Sequence, residues 1–348
     1  MAKSKAGHYF EDFALHQVFD HPVPRTLTQG DAALYMALYG GRHPVISSDE
    51  AARRLGFQAA PIDEFLVFHI VFGRSVGDIS LNAVANLGYA ELHFLKPVFA
   101  GDTLQARSTV IGLKETSAGD TGIVYVRTAG TNQRGESVLE FARWVMVRKR
   151  ERNAMAPTAS IPALNAVVPA SQLVVPERLD AAAYDPVWTA SKDFYEDYAA
   201  GERIDHLDGM TLEEAEHQMA TRLYQNTAKV HFNQYSEGQG RFGRRLVYGG
   251  HVISLARALS FNGLANAFHV AAINGGRHVA PLFAGDTVFA WSEILEKAEL
   301  PGRADVGALR VRLVAAKNRP CADFPYREGE GFEPSVVLDF DFWALIPR

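Results

Sequence analysis

A chain of 348 residues has room for two domains that each bury a core, and its formal charge of -5, with the signs interspersed, leaves no basic stripe for nucleic acid. The one cysteine, Cys321, has no partner for an internal disulfide and no companions at metal-ligand spacing, so a cytoplasmic protein is expected. No membrane partner is expected either, because the longest apolar stretch, residues 65–72, is interrupted by His69 and too short to span a bilayer, and the polar start at residues 1–8 does not read as a signal peptide.

In chain order the first phrase to note is Tyr9-Phe10-Glu11-Asp12-Phe13, because it returns 185 residues later as Phe194-Tyr195-Glu196-Asp197-Tyr198. Residues 49–55 read as a short helix stopped by Gly56, and Asp63 stands where it can cap a longer apolar helix starting near Glu64. Strands are predicted over 103–113, 122–131 and 137–147, separated by Gly, Ser and Asn turns. Between 151 and 186 the composition turns to Ala, Pro and small polar residues, with prolines at 157, 162, 169, 176 and 186, which predicts an extended connector crossing the molecule. The second half repeats the order: a helix over 211–225, a long apolar helix over 249–262, and strands over 287–295, 306–315 and 335–346. Pro97-Val98-Phe99-Ala100-Gly101-Asp102-Thr103 recurs as Pro281-Leu282-Phe283-Ala284-Gly285-Asp286-Thr287 at a spacing of 184. A spacing held to one residue over half the chain indicates a duplicated domain. The predicted organisation is an N-terminal domain over 1–150, a linker over 151–186 and a C-terminal domain over 187–348. Each is α+β, with one apolar helix and an antiparallel sheet.

A helix followed by Pro-x-x-x-Gly-Asp leading into a strand resembles the hot-dog fold of the MaoC-like hydratases and dehydratases, and the tandem arrangement resembles double hot-dog enzymes acting on enoyl-CoA thioesters. Within that group, residues 223–233 and 243–251 resemble the mesaconyl-CoA hydratase (β-methylmalyl-CoA dehydratase) family. The resemblance implies a double hot-dog fold, each long central helix wrapped by its sheet. It also implies reversible hydration of an enoyl-CoA, with coenzyme A as part of the substrate and no separate cofactor or metal. The family's catalytic phrase is Gly-Asp-x-Asn-Pro-x-His. The first half, Gly40-Gly41-Arg42-His43-Pro44-Val45-Ile46, has glycine at the Asp position and isoleucine at the His position, so it is degenerate. The second half, Gln225-Asn226-Thr227-Ala228-Lys229-Val230-His231, keeps the histidine and has Asn226 in place of aspartate.

Asparagine can hold a water through its side-chain oxygen but accepts no proton, so a hydratase reading gives the titratable role to His231. The alternative is a packed, hydrogen-bonded histidine. Gly249 and Gly250, after Tyr248, would start the central helix, with backbone N–H groups turned to the thioester oxygen; the alternative is a glycine turn that only starts the helix. His251 points into the site or solvates the helix. At the matching place in the first half, Asp63 and Glu64 are read as helix-capping carboxylates, held ionised there, rather than a proton relay. The anionic end of a dicarboxylic acyl group calls for a cation. Arg241, Arg244, Arg245 and Arg277 (with His278) are candidates, set against solvated basic loops, with Lys229 for the CoA phosphates and Asn274-Gly275-Gly276 for the acyl tunnel. An acyl-CoA thioesterase and a non-catalytic acyl-CoA binding module are the competing functions. A homodimer is compatible with the sequence and not encoded in it.

Overall fold

The structure is a computed structural model that describes Lys3 and residues 6–348. Its strands are β1 (Val18–Thr26), β2 (Ala83–Phe94), β3 (Thr103–Glu115), β4 (Thr121–Thr131), β5 (Ser137–Arg148), β6 (Arg203–Thr211), β7 (His269–His278), β8 (Thr287–Leu300), β9 (Arg303–Lys317), the short hairpin of β10 (Arg327–Glu328) and β11 (Gly331–Phe332), and β12 (Val336–Pro347). Ten of them form one antiparallel sheet in the order β1-β3-β4-β5-β2-β7-β12-β9-β8-β6. Each half contributes five strands, and the halves meet where β2 pairs with β7 through Ala90–Gly275, Leu92–Ile273 and His93–Ala272.

The two central helices explain the curvature. Glu64–Ser75 is apolar on every side and all but two of its residues are buried, so the sheet must wrap it. Asp63 caps it, accepting the Phe65 N–H at 2.8 Å. Gly249–Leu259 is its counterpart in the second half. The repeated phrases build repeated contacts. Asp102 accepts the Phe99 N–H at 2.9 Å, and Asp286 accepts the Phe283 N–H at 3.0 Å, so both Gly-Asp-Thr aspartates close turns. The His21 and His206 rings each hydrogen-bond a serine of the facing strand, Ser108 and Ser292, at 2.9 and 2.8 Å.

Several boundaries differ from expectation. Thr211 ends β6 rather than opening a helix, and that helix runs Glu214–Leu223. The second central helix stops at Leu259, and the chain breaks from helical geometry at Asn262 and at Gly263, whose φ is 104°. Strands β1, β2, β6 and β7 have no clean apolar alternation. Pro22 and Pro24 sit in β1, which lies at the sheet edge where a missing donor costs least, and Gly275 and Gly276 sit in β7. The segment between β5 and β6 runs outside the sheet: Ser160 bridges to Leu113, the Val168 carbonyl accepts the Trp343 indole N–H at 3.0 Å, and the Asp180 N–H reaches Leu55 O at 3.0 Å. No helix among the described residues is long and apolar enough to cross a membrane.

Candidate active site

A cavity of about 480 Å³ opens between the halves. From the second half it is lined by Asn226, His231, Tyr248, Gly249 and His278, and from the first by residues of β2 and β5. The segment after the Glu214–Leu223 helix turns sharply at Gln225, whose φ is 53°, and Asn226 shapes the loop beyond it. The Asn226 N–H bonds Thr221 O, and its side-chain oxygen accepts the Ala228 N–H at 2.9 Å. That oxygen therefore closes a turn, where the sequence reading had it holding water.

The turn delivers His231 to the cavity wall. Its backbone carbonyl is held by Gln218 and its Nδ1 lies 3.1 Å from Leu246 O. A carbonyl can only accept, so Nδ1 carries the proton and Nε2 keeps a free lone pair. Burial pushes the imidazole pKa down to about 4, with the Leu246 carbonyl pulling the other way, so the ring is neutral at physiological pH. The Tyr248 ring packs edge-on against it at 5.2 Å between centroids.

Tyr248 precedes the second central helix and supplies no side-chain acceptor to its first turn, so the positive end of that helix is presented to the cavity at Gly249. Both glycines are required by neighbouring rings. A Cβ on Gly249 would fall 2.3 Å from His278 Nε2, and one on Gly250 would fall 2.7 Å from the His69 ring. His278, at the end of β7, is a site residue that sequence reasoning had grouped with Arg277 as a cation. Burial, then repulsion from His231, lowers its pKa to about 4, and its Nε2 is buried without a partner among the described residues. The nearness of His278 to Pro281 in sequence was the available signal, but only the strand shows which way the ring faces.

Five expected site residues lie elsewhere. Gly250 packs against His69, and His251 is buried with Nδ1 2.8 Å from the Tyr39 hydroxyl, so neither lines the cavity. Arg245 is drawn to Glu214. Arg277 is exposed on β7, with its guanidinium 5.9 Å from the Phe332 ring. Asn274 falls at an irregularity where β7 meets β12 between Asp341 and Phe342; its amide donates to Asp341 at 2.7 Å and accepts the Val168 N–H at 2.8 Å, so it fastens the connector rather than lining a tunnel. Arg241 does lie on the cavity wall, with its side chain exposed. Asp63 corrects another expectation. Although it caps a helix, burial and the adjacent Glu64 raise its pKa to about 7, and Glu64 is paired with His269 away from the cavity.

The fold and the two-sided cavity define a double hot-dog protein of the MaoC-like class. A structure described as a putative MaoC domain dehydratase from Chloroflexus aurantiacus superposes with a TM-score of 0.98 at 59% identity, covering 100% of this chain and 99% of that one. A Mycobacterium tuberculosis protein described as a double hot-dog fold gives 0.77 at 26% identity, covering 99% of both. The mesaconyl-CoA hydratase family profile matches residues 1–323, and the chain belongs to that family. It is 60% identical to a β-methylmalyl-CoA dehydratase of Chloroflexus aurantiacus, over 100% of this chain and 99% of that one. It is 58% identical to a mesaconyl-CoA hydratase of Cereibacter sphaeroides, over 99% and 100%.

Proposed function

We infer that this protein is a hydro-lyase that reversibly adds water to mesaconyl-CoA to give β-methylmalyl-CoA. The observation that carries the reading is a neutral His231, its Nε2 free, in one cavity with the open N-terminus of the Gly249–Leu259 helix, in a chain 58–60% identical to proteins of that activity.

In this reading the first-turn amide at Gly249, on the cavity wall, holds the thioester oxygen, where negative charge develops as water adds to the β-carbon. His231 Nε2 takes the proton from that water. The imidazolium so formed is the acid that returns a proton to the α-carbon, because His278 is neutral before reaction and its single ring N–H is a far weaker acid. Asn226 holds the loop that presents His231. Coenzyme A arrives as part of the substrate, Arg241 at the cavity wall is placed for its phosphates, and no further cofactor is invoked. A cytoplasmic location goes with this reading and is supported by the single cysteine, which leaves no internal disulfide. The buried Cys321 thiol, pushed up to about 12, is a packed side chain in this reading. Because the two halves complete the cavity within one chain, homodimerisation is compatible with the site and not needed for it.

Incubation with mesaconyl-CoA tests this. Loss of enoyl-thioester absorbance without release of thiol, abolished in His231→Ala, is the expected result. Release of thiol would make the protein a thioesterase, and binding without turnover would make it an acyl-CoA binding module.

A further inference from the structure

The degenerate half is not a bystander, because it contributes a buried cation to the cavity wall. Arg143 on β5 has no exposed surface, and among the described residues no carboxylate pairs with it. Its guanidinium donates to Ser75 Oγ at 2.9 Å and to Ser80 Oγ at 3.4 Å and lies 4.2 Å from the Phe72 ring centroid, while its Nε has no partner. A buried charge with only hydroxyls and an aromatic face around it is costly, and a missing counter-ion is the simplest remedy. Two neighbours have unused capacity as well. Ser80 lines the cavity and accepts from Arg143, which leaves its own O–H free to donate. Asn86 also lines the cavity, and both ends of its buried amide are unpartnered.

A register shift in β2 assembles this cluster. Asn86 pairs with Val145 and Tyr89 pairs with Arg143, with the irregularity between Asn86 and Gly88. Residues three apart on a regular strand face opposite sides; the shift turns Asn86 and Tyr89 to the same side as Arg143 and Val145, and all four line the cavity.

The second half shows what the fold requires at these places. There Val270 pairs with Ala344 and Ile273 with Phe342. Asn86 and Tyr89 correspond to Val270 and Ile273 at a spacing of 184, and Arg143 and Val145 correspond to Phe342 and Ala344 at 199. Valine and phenylalanine therefore satisfy the packing in one copy where the other holds asparagine and arginine. Polar residues that the fold does not need, gathered on one cavity, are there for what enters it.

We propose that Arg143, with the Ser80 hydroxyl and the Asn86 amide in front of it, forms the subsite for the free carboxylate of the acyl group and so selects dicarboxylic over simple enoyl thioesters. The proposal rests on the hydratase reading above and adds the residues that set its specificity. The geometry suits it: that carboxylate is bonded to the β-carbon where His231 delivers water, so its subsite must be close. The Arg143 guanidinium lies 4.2 Å from the Phe72 ring centroid, the Phe72 ring 6.1 Å from that of Tyr248, and the Tyr248 ring 5.2 Å from that of His231.

The test compares mesaconyl-CoA with (E)-2-methylbut-2-enoyl-CoA, in which a methyl group replaces the carboxylate, on the native chain, Arg143→Met and Asn86→Val. Native protein should prefer mesaconyl-CoA. Arg143→Met should lower kcat/KM for mesaconyl-CoA roughly 100-fold and change that for the methyl analogue less than about threefold, as loss of a charge-assisted contact predicts. Asn86→Val, which installs the residue of the other copy, should show the same selective loss at roughly tenfold and decides the matter if Arg143→Met does not fold. Equal losses on both substrates, with native preference intact, would overturn the carboxylate subsite and leave the hydratase reading standing. A native protein that hydrates only the methyl analogue would overturn both.

Discussion

Tyr39 and Tyr224, 185 residues apart, meet hydroxyl to hydroxyl at 2.5 Å, so two copies of one position close on each other where the halves join. Tyr39 also lies 2.8 Å from His251 Nδ1. His251 is buried and its pKa is lowered to about 3, so it is neutral; the chain that satisfies every group runs from Tyr224 O–H to Tyr39 and from Tyr39 O–H to His251. Removing Tyr39 orphans two buried partners, whereas removing Tyr224 orphans one. Tyr39→Phe should cost about 2–4 kcal/mol and Tyr224→Phe about 1 kcal/mol in urea unfolding, with the double variant no worse than Tyr39→Phe. Equal costs would show that Tyr39 does not bridge Tyr224 and His251.

The base form of His231 is set by burial, which places its pKa at about 4. A base works when deprotonated, so kcat/KM for mesaconyl-CoA should stay flat from pH 8 to about 5 and fall only as pH approaches 4. An acid limb centred near 6.5 would show that His231 is not the group controlling the rate.

The same shifts govern stability. His69 and His251 are lowered to about 3, and His206, His231 and His278 to about 4, each chiefly by burial. Unfolding lets each take up a proton near its ordinary value of 6.5, so their stabilisation is present above pH 6.5 and is lost as pH falls toward 4. Asp63 runs the opposite way, since its pKa is raised to about 7, but it is one group against five. Scanning calorimetry at pH 7.5 and 5.0 should find the melting temperature lower at pH 5.0 by more than about 5 °C.

Gly249→Ala should raise intrinsic helix propensity by about 0.5–1 kcal/mol and yet impair the enzyme, because the new methyl group occupies the place of the His278 ring. A loss of kcat of at least about tenfold with little change in stability is expected. Gly250→Ala instead pushes a methyl into the buried His69 and Tyr248 rings, so its expected effect is on stability, about 1–3 kcal/mol.

Arg245 and Arg277 carry the charge that a dicarboxylic substrate needs but do not line the cavity. Alanine at either position should change kcat/KM for mesaconyl-CoA less than about threefold. A loss comparable to that expected of Arg143→Met would move the carboxylate subsite to the surface loop.

The sequence by itself determined the duplication, the apolar central helices, the Gly-Asp-Thr turns and the family, because each is written in contiguous residues whose local chemistry is complete: an aspartate caps the turn beside it, and an all-apolar helix has to be buried. It also singled out His231 from its place in a short motif. It could not show that Asn274 faces the connector, that His278 lines the same cavity as His231, or that Asn86 and Arg143 share a wall. Those facts depend on strand register, and an irregularity of one residue in β2 or β7 decides which face a side chain takes. The tertiary structure also chose among the arginines: Glu214 draws Arg245 away, and the sheet closes over Arg143 with no carboxylate among the described residues paired with it.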